Sequence, residues 1–259
     1  MKFDPMRFFR DLFSMPANLA HIARTNRDVT VHVAPPTVNV PPPVLSVPEF
    51  WSETFGERVL LRALGERAMA RTVSIVETQM SQAVIFLEHA EFLHNCLGKV
   101  PAVGAHCEFG VFSGHTINIL ADAKPRQTFD GFDSFHGLPG EWTGWSSFSF
   151  DRQGAVPEVR SNVKLHVGLF DETLPDYASA IESVAFLHVD CDLYESTVTI
   201  FDKLGAKLMP GCVIVFDEYF GYPGFEQHEM RAFGEFLAAS GRRPHWFACC
   251  GQRAACILN

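Results

Sequence analysis

Carboxylates in this sequence gather where apolar runs stop. Val103–Glu108 leads into Glu108-Phe-Gly-Val-Phe-Ser-Gly114, Thr128–Asp133 into Asp133-Ser-Phe, Val184–Asp190 into Asp190-Cys-Asp192, and Cys212–Asp217 into Asp217-Glu218. If these runs are parallel strands, they all direct acid into one crevice, and the carboxyl ends of strands are where ligands bind in an open α/β sheet. Asp190 and the Asp217-Glu218 pair would sit on neighbouring strand tips about 5 Å apart. Three carboxylates so placed repel one another. Either a cation neutralises them or at least one is held protonated, and a hard, oxygen-seeking metal is the economical cation. Asp192 and Glu195 have instead the D-x-x-E spacing of a helix cap.

Gly110 and Gly114 open the segment after the first run, without forming G-x-G-x-x-G. Glycines there let the backbone approach a ligand, and Glu108 at the turn suits a cationic ligand better than a pyrophosphate. S-adenosylmethionine offers such cations in its ammonium and sulfonium. Asp133, at the end of the next run, has the place of the acid that accepts ribose hydroxyls. Glu108, Phe109, Gly110, Ser113, Asp133 and Ser134 are therefore the expected cofactor-binding residues, with Glu108 toward the amino-acid end and Asp133 on the ribose.

The elements that must position these residues follow from periodicity. After Lys99 the pattern alternates, with a further strand at Val163–Phe170 and helices at His115–Ala123, Thr197–Leu208 and about Glu226 to Ala239. His245–Cys250 and Arg253–Leu258 flank Gly251-Gln252 as a hairpin. The near-continuous apolar runs suit strands buried on both faces, so the expected fold is α/β: a doubly wound, mostly parallel, seven-stranded sheet with a C-terminal antiparallel hairpin. Upstream, Glu57–Leu97 reads as helical, with Met80, Val84, Leu87, Ala90, Leu93 and Leu97 as one apolar stripe.

Residues 3–23 are amphipathic and mildly basic, suited to packing on the core or a sister subunit or to weak contact with a membrane surface. Residues 29–50 carry six prolines and read as an extended arm. The expected organisation is thus an extension over 1–56 and a catalytic domain over 57–259, made of leading helices (57–98) and a sheet core (99–259). Burial of the arm's Val and Phe side chains by another copy of the chain predicts a homo-oligomer. Trp142, Trp145, Phe148 and Phe150 lie in the long connection after the second strand. They read equally as a substrate lid or as a loop folded on its own sheet.

The chain has 259 residues, 47% of them hydrophobic and 20% charged, which excludes disorder and fits a globular protein. With 21 basic against 30 acidic residues the net charge is −9, which excludes nucleic acid as a partner. Seven cysteines without a C-x-x-C pair indicate a reducing compartment, hence the cytoplasm. No run approaches the roughly 20 apolar residues of a membrane span.

Five ordered strings between Val103 and Phe236 resemble the macrocin O-methyltransferase family: Glu108-Phe-Gly-Val-Phe-Ser-Gly, Phe132-Asp-Ser-Phe-His-Gly-Leu-Pro, Gly168-Leu-Phe-Asp-Glu-Thr-Leu-Pro, His188-Val-Asp-Cys-Asp-Leu-Tyr-Glu-Ser-Thr and Pro210-Gly-Cys-Val-Ile-Val-Phe-Asp-Glu-Tyr. The resemblance implies a Rossmann-like class I methyltransferase that uses S-adenosylmethionine and Mg²⁺ to methylate a sugar hydroxyl of a natural product. It also implies Asp190 as metal ligand and base, and Asp217 with Glu218 as the remaining metal ligands. Glu218 departs from the Asp of the family pattern and reaches one methylene further, and His136 stands where an acid is expected.

Two other classes fit parts of the sequence. A protein that binds S-adenosylmethionine without catalysis would keep the sheet, and the Asp-to-Glu change at 218 could mark it. His188-Val-Asp190 with His245 and Arg253 mimics the spacing of an Fe(II)/2-oxoglutarate oxygenase, a class built on an all-β jelly roll, which βα alternation contradicts. A nicotinamide-dependent oxidoreductase lacks its third glycine.

Overall fold

The computed structural model describes residues 57–140 and 150–259. The amphipathic segment and proline-rich arm within 1–56, and Trp142, Trp145 and Phe148 of the expected lid, lie outside the described residues. The chain divides into two units, Met1–Gly65 and Glu66–Asn259, and the sheet lies in the second.

Among the described residues the sheet has eight strands: β1 (Val84–Ile85), β2 (Ala105–Phe109), β3 (Phe129–Asp133), β4 (Val163–Val167), β5 (Val184–Val189), β6 (Leu208–Phe216), β7 (Pro244–Cys250) and β8 (Arg253–Leu258). Their spatial order is β1-β7-β8-β6-β5-β2-β3-β4. Pairing is parallel except where β8 inserts antiparallel between β6 and β7. The chain runs outward from β2 to β4, then returns to β5 on the other side of β2, so the switch point lies between β2 and β5. The helices are α1 (Glu57–Gln79), α2 (His89–Leu97), α3 (His115–Ala123), α4 (Phe170–Ala180), α5 (Tyr194–Leu204) and α6 (Glu229–Ser240).

Successive strand residues face opposite sides of a sheet, and each side here has its own core. Val213 and Val215 of β6 pack with Phe92 and Leu93 of α2 and Ile117 and Leu120 of α3. Phe216, one residue on, joins Phe201 of α5, Phe233 of α6 and Trp246 of β7 in an aromatic cluster with ring centroids 4.9–6.4 Å apart. The central strands β5 and β6 are largely apolar because both of their faces are covered.

Three expectations are corrected. The stripe from Met80 to Leu97 is not one helix: α1 ends at Gln79, and residues 84–85 form the edge strand β1, which makes the sheet eight-stranded and leaves Leu87 91% exposed. The strand expected over Val163–Phe170 stops at Val167, since Gly168 turns at φ +146° and the Glu172 carboxylate accepts the Leu169 amide (3.2 Å) to start α4. Pro175 lies inside that helix and disguises it in the sequence.

The tightest point of the fold is Gly110, at φ +93°, where an added Cβ would meet the Asp190 carbonyl oxygen at 1.7 Å. Gly110→Ala should therefore destabilise the chain by about 3 kcal/mol or more, whereas Gly234→Ala, within α6 with nothing within 4 Å of its Cβ, should stabilise it by about 0.5–1 kcal/mol. Denaturant melts of the two variants check both signs.

Candidate active site

The strand register explains how the acids converge. Glu108 of β2 pairs with His188 of β5, and His188 with Val215 of β6, so Glu108, His188 and, two residues beyond Val215, Asp217 present side chains on the α2/α3 face. Asp190 follows His188 by two and continues that row. The His188 ring sits between acids: Nδ1 is 3.0 Å from Glu108 Oε2, and Nε2 is 3.7 Å from Asp217 Oδ1. Arg253, the first residue of β8, lies beside Ala254, which pairs with Phe216. Its guanidinium grips Asp217 bidentately, Nε to Oδ1 at 2.5 Å and Nη2 to Oδ2 at 2.9 Å. His89, at the start of α2, brings Nε2 to 3.8 Å from Asp217 Oδ1.

Burial and charge then separate the ionisation of these groups. Burial would raise the Asp217 carboxyl, but Arg253 and His188 outweigh it and hold it well below the usual range. Burial first, then the Asp217 charge, lifts Asp190 well above it and Asp192 to about 7. Glu218 is raised by burial and by Asp217, Glu229 by burial and by Asp192. For His188 burial favours the neutral ring, yet Asp217 and Glu108 pull it up to about 10. His89 moves to about 4 through burial and then Arg253. One ionised carboxylate thus sits among several acids that resist ionisation.

The residues expected from the sequence fall into two places. His188, Asp190 and Asp217 each bring one donor atom to within 4.8 Å of the others. Glu218 is buried beside them, its amide donating to Glu229 Oε2 at 3.3 Å and its own Oε2 without a hydrogen-bond partner. Glu108 is fully buried and turned to His188. Around the glycine turn, Asp133 accepts three backbone amides, from Val111 (2.9 Å) and Phe112 (2.7 Å) on Oδ2 and from Phe135 (2.7 Å) on Oδ1. Phe109 stacks on Phe132 with centroids 4.9 Å apart, Ser113 is exposed, and Ser134 Oγ accepts the His136 amide (3.2 Å). Beyond β3 and β4 opens a cavity of about 470 Å³ lined by Ser134, His136, Gly137, Val167, Leu169 and Glu172. That volume suits a nucleoside-sized ligand. Phe150, the one described member of the expected lid, meets Phe112 edge-on at 5.5 Å.

The cap expected at Asp192 is corrected. Leu193 takes the N-cap position of α5 with no side-chain cap bond, while Asp192 is 8% exposed at φ +61° and turned inward among the acids. Arg253, His89 and Glu229 were not expected as members of this cluster. Arg253 becomes legible once β8 is placed antiparallel to β6, since the register then sets it against Asp217. The oxygenase reading fails on the same topology: the sheet is parallel α/β, and exposed His245 pairs through Ile257 with Val213, several residues before Asp217.

The match to known proteins agrees with this geometry. Residues 107–219 match a family model described as a methyltransferase domain. Two curated relatives are both named as O-methyltransferases. The 8-demethyl-8-(2,3-dimethoxy-alpha-L-rhamnosyl)-tetracenomycin-C 4'-O-methyltransferase of Streptomyces olivaceus is 29% identical over 170 residues, 54% of this chain and 63% of the relative. The demethyldecarbamoylnovobiocin O-methyltransferase of Streptomyces niveus is 28% identical over 171 residues, 55% of this chain and 64% of the relative. The matched segment spans less than two thirds of either. Two solved structures share the fold: the O-methyltransferase NovP, at TM-score 0.51 and 23% identity over 65% of this chain and 78% of NovP, and the calicheamicin methyltransferase CalS11, at TM-score 0.51 and 19% identity over 78% and 93%. The doubly wound, mostly parallel sheet is the Rossmann-like fold of class I methyltransferases.

Removing Arg253 would leave Asp217 buried with only the longer contacts to His188 and His89. Arg253→Met should cost about 3–5 kcal/mol in a urea melt, and Arg253→Lys, which keeps the charge but not the fork, less. His89 gives a pH signature. Its folded pKa of about 4 lies below the ordinary 6.5, so the unfolded chain binds more protons between those values, and the contribution present above pH 6.5 is lost as pH falls toward 4. The stability difference between wild type and His89→Gln should change by up to about 3 kcal/mol over that window and be flat above it.

Proposed function

We propose that the chain is an S-adenosylmethionine-dependent O-methyltransferase acting on a hydroxyl of a sugar or glycosylated natural product, with metal assistance and Asp190 as the base. The observation that carries this reading is the row of buried acids at the carboxyl edge of a methyltransferase domain whose curated relatives are both named as O-methyltransferases.

The residues present fit both groups the reaction needs. For the cofactor, the turn at Gly110 lies at the switch point and the cavity beside Ser134 and Leu169 opens past the ends of β3 and β4, with Phe109, Ser113 and Asp133 near the turn. Asp133 uses three backbone amides, which leaves about one of its four lone-pair sites for a ribose hydroxyl. For the metal, Asp190 and Asp217 have donor atoms in range of one another, and the unpartnered Glu218 Oε2 calls for a cation. S-adenosylmethionine, when bound, supplies a methyl group on a sulfonium. A divalent metal at Asp190, Asp217 and Glu218, when bound, lowers the pKa of a hydroxyl beside it.

The chain's own residues then orient and deprotonate. An alcohol is a poor nucleophile at neutral pH, and Asp190, whose carboxyl is raised by burial and by Asp217, has a greater proton affinity than an exposed aspartate. Arg253 holds Asp217 ionised, and the negative field of Asp217 is what raises Asp190. Positioning of the hydroxyl against the methyl supplies much of the rate.

A homo-oligomer with residues 1–56 at its interface is part of this proposal, as is a cytoplasmic setting, which all seven cysteines being free and buried supports. No helix among the described residues is long and apolar enough to cross a membrane. The alternative, cofactor binding without catalysis, draws on Arg253 already occupying both oxygens of Asp217.

The test is calorimetry with S-adenosylhomocysteine followed by methyl transfer to deoxysugar-bearing acceptors. Binding near the micromolar range should fall at least tenfold in Asp133→Ala, and exhaustive EDTA treatment should abolish transfer until divalent metal is restored. Asp190→Asn should lose transfer by about 10²–10⁴-fold while retaining cofactor affinity. Cofactor binding without transfer to any such acceptor would favour the non-catalytic alternative.

A further inference from the structure

His188 is out of place as a core histidine. Its side chain has no exposure, and its two ring nitrogens are held unequally: Nδ1 is 3.0 Å from Glu108 Oε2, while Nε2 has no hydrogen-bond partner and meets only the charge of Asp217. The 3.7 Å from Nε2 to Asp217 Oδ1 is too long for a hydrogen bond. A buried ring nitrogen without a hydrogen bond carries an uncompensated desolvation cost. Nε2 faces the edge where Asp190 and Asp217 converge.

A carboxylate on one imidazole nitrogen, with the other directed at further acids, is the arrangement that fixes histidine tautomers in metal sites. We infer that His188 is a nitrogen ligand of the metal at this edge, together with Asp190 and Asp217, that Glu108 orients it, and that the site therefore selects a transition metal, such as Mn²⁺, Co²⁺ or Zn²⁺, over Mg²⁺. The set differs from an all-carboxylate site at Asp190, Asp217 and Glu218 in one donor, and that donor decides the metal. Imidazole suits transition metals, whereas Mg²⁺ prefers oxygen.

Two geometric facts permit it. Donors on one ion with bonds near 2.1 Å lie between about 3 and 4.2 Å apart, and the three groups here fall within 4.8 Å, so side-chain adjustments on the order of an ångström close the set. Arg253 takes two of the roughly four lone-pair sites on Asp217 and leaves one on each oxygen. Glu108 consequently has work at the base of the site other than contact with a cofactor ammonium.

The inference rests on the proposed function for the use of the metal, not for its binding, so the test reads binding alone. The full chain, freed of metal, is titrated with Mn²⁺ and followed by electron paramagnetic resonance, then challenged with a hundredfold excess of Mg²⁺. One Mn²⁺ per chain that survives the challenge and shows ¹⁴N coupling from an imidazole is the expected result. His188→Gln should lose the coupling and at least tenfold in Mn²⁺ affinity, and Glu108→Gln should lose about 10–100-fold with the coupling retained. Mn²⁺ bound without nitrogen coupling in the wild type, displacement by Mg²⁺, or no Mn²⁺ bound would each overturn the inference, and the wild-type spectrum decides even if a variant fails to fold. S-adenosylhomocysteine titration of the same sample separates the two readings: nitrogen coupling without cofactor binding sinks the methyltransferase proposal alone, and cofactor binding without coupling sinks the histidine ligand alone.

Discussion

The bidentate pair between Arg253 and Asp217 is the interaction on which the carboxyl edge depends. Glu108, Asp217, Glu218 and Glu229 are all buried, and burying even one ionised carboxylate costs several kcal/mol unless it is paired. The fold meets that cost unevenly. One acid, Asp217, receives a fixed cation on both oxygens and stays ionised, and its neighbours Asp190, Asp192 and Glu218 are pushed toward the protonated form by the charge it keeps. A raised proton affinity is thereby obtained from an ordinary aspartate, Asp190.

The sheet topology makes this pairing available. A purely parallel sheet would place only strand ends and helix starts near Asp217. The antiparallel insertion of β8 between β6 and β7 brings a strand beginning to the same edge, and the first residue of that strand is the arginine. His89 arrives from α2, on the face that also carries Glu108 and His188. The acids and the charge that compensates them therefore come from different segments that share one edge.

Much of this architecture was legible because it rests on local patterns. The apolar runs of β5 and β6 and the acids that end them are explicit in the sequence, and burial on both faces leaves few other readings for Val184–Val189. The Gly251-Gln252 turn marks the hairpin equally plainly. What the sequence concealed depends on tertiary contact. The two residues of β1 are strand only because they pair with Ala248 and Cys249, and α4 carries a proline that reads as a breaker. Asp192 has the spacing of a cap, but its left-handed backbone turns it into the acid cluster instead. Glu229 opens α6 as any acidic first-turn residue would, and its burial against the Glu218 amide has no sequence signal.

The contact between Gly110 and Asp190 joins two regions usually treated apart. Asp133 ties the amides of Val111 and Phe112 to the end of β3, and Gly110, one residue earlier, rests against the Asp190 carbonyl with no room for a methyl group between them. Interiors packed this closely transmit displacement rather than absorb it. A ligand that shifts the turn by even half an ångström must therefore shift the backbone carrying Asp190, and a ligand that draws on Asp190 must reset the turn. Occupancy of one side is thus a term in the free energy of the other, equal in both directions, so the order in which two ligands arrive leaves their combined affinity unchanged.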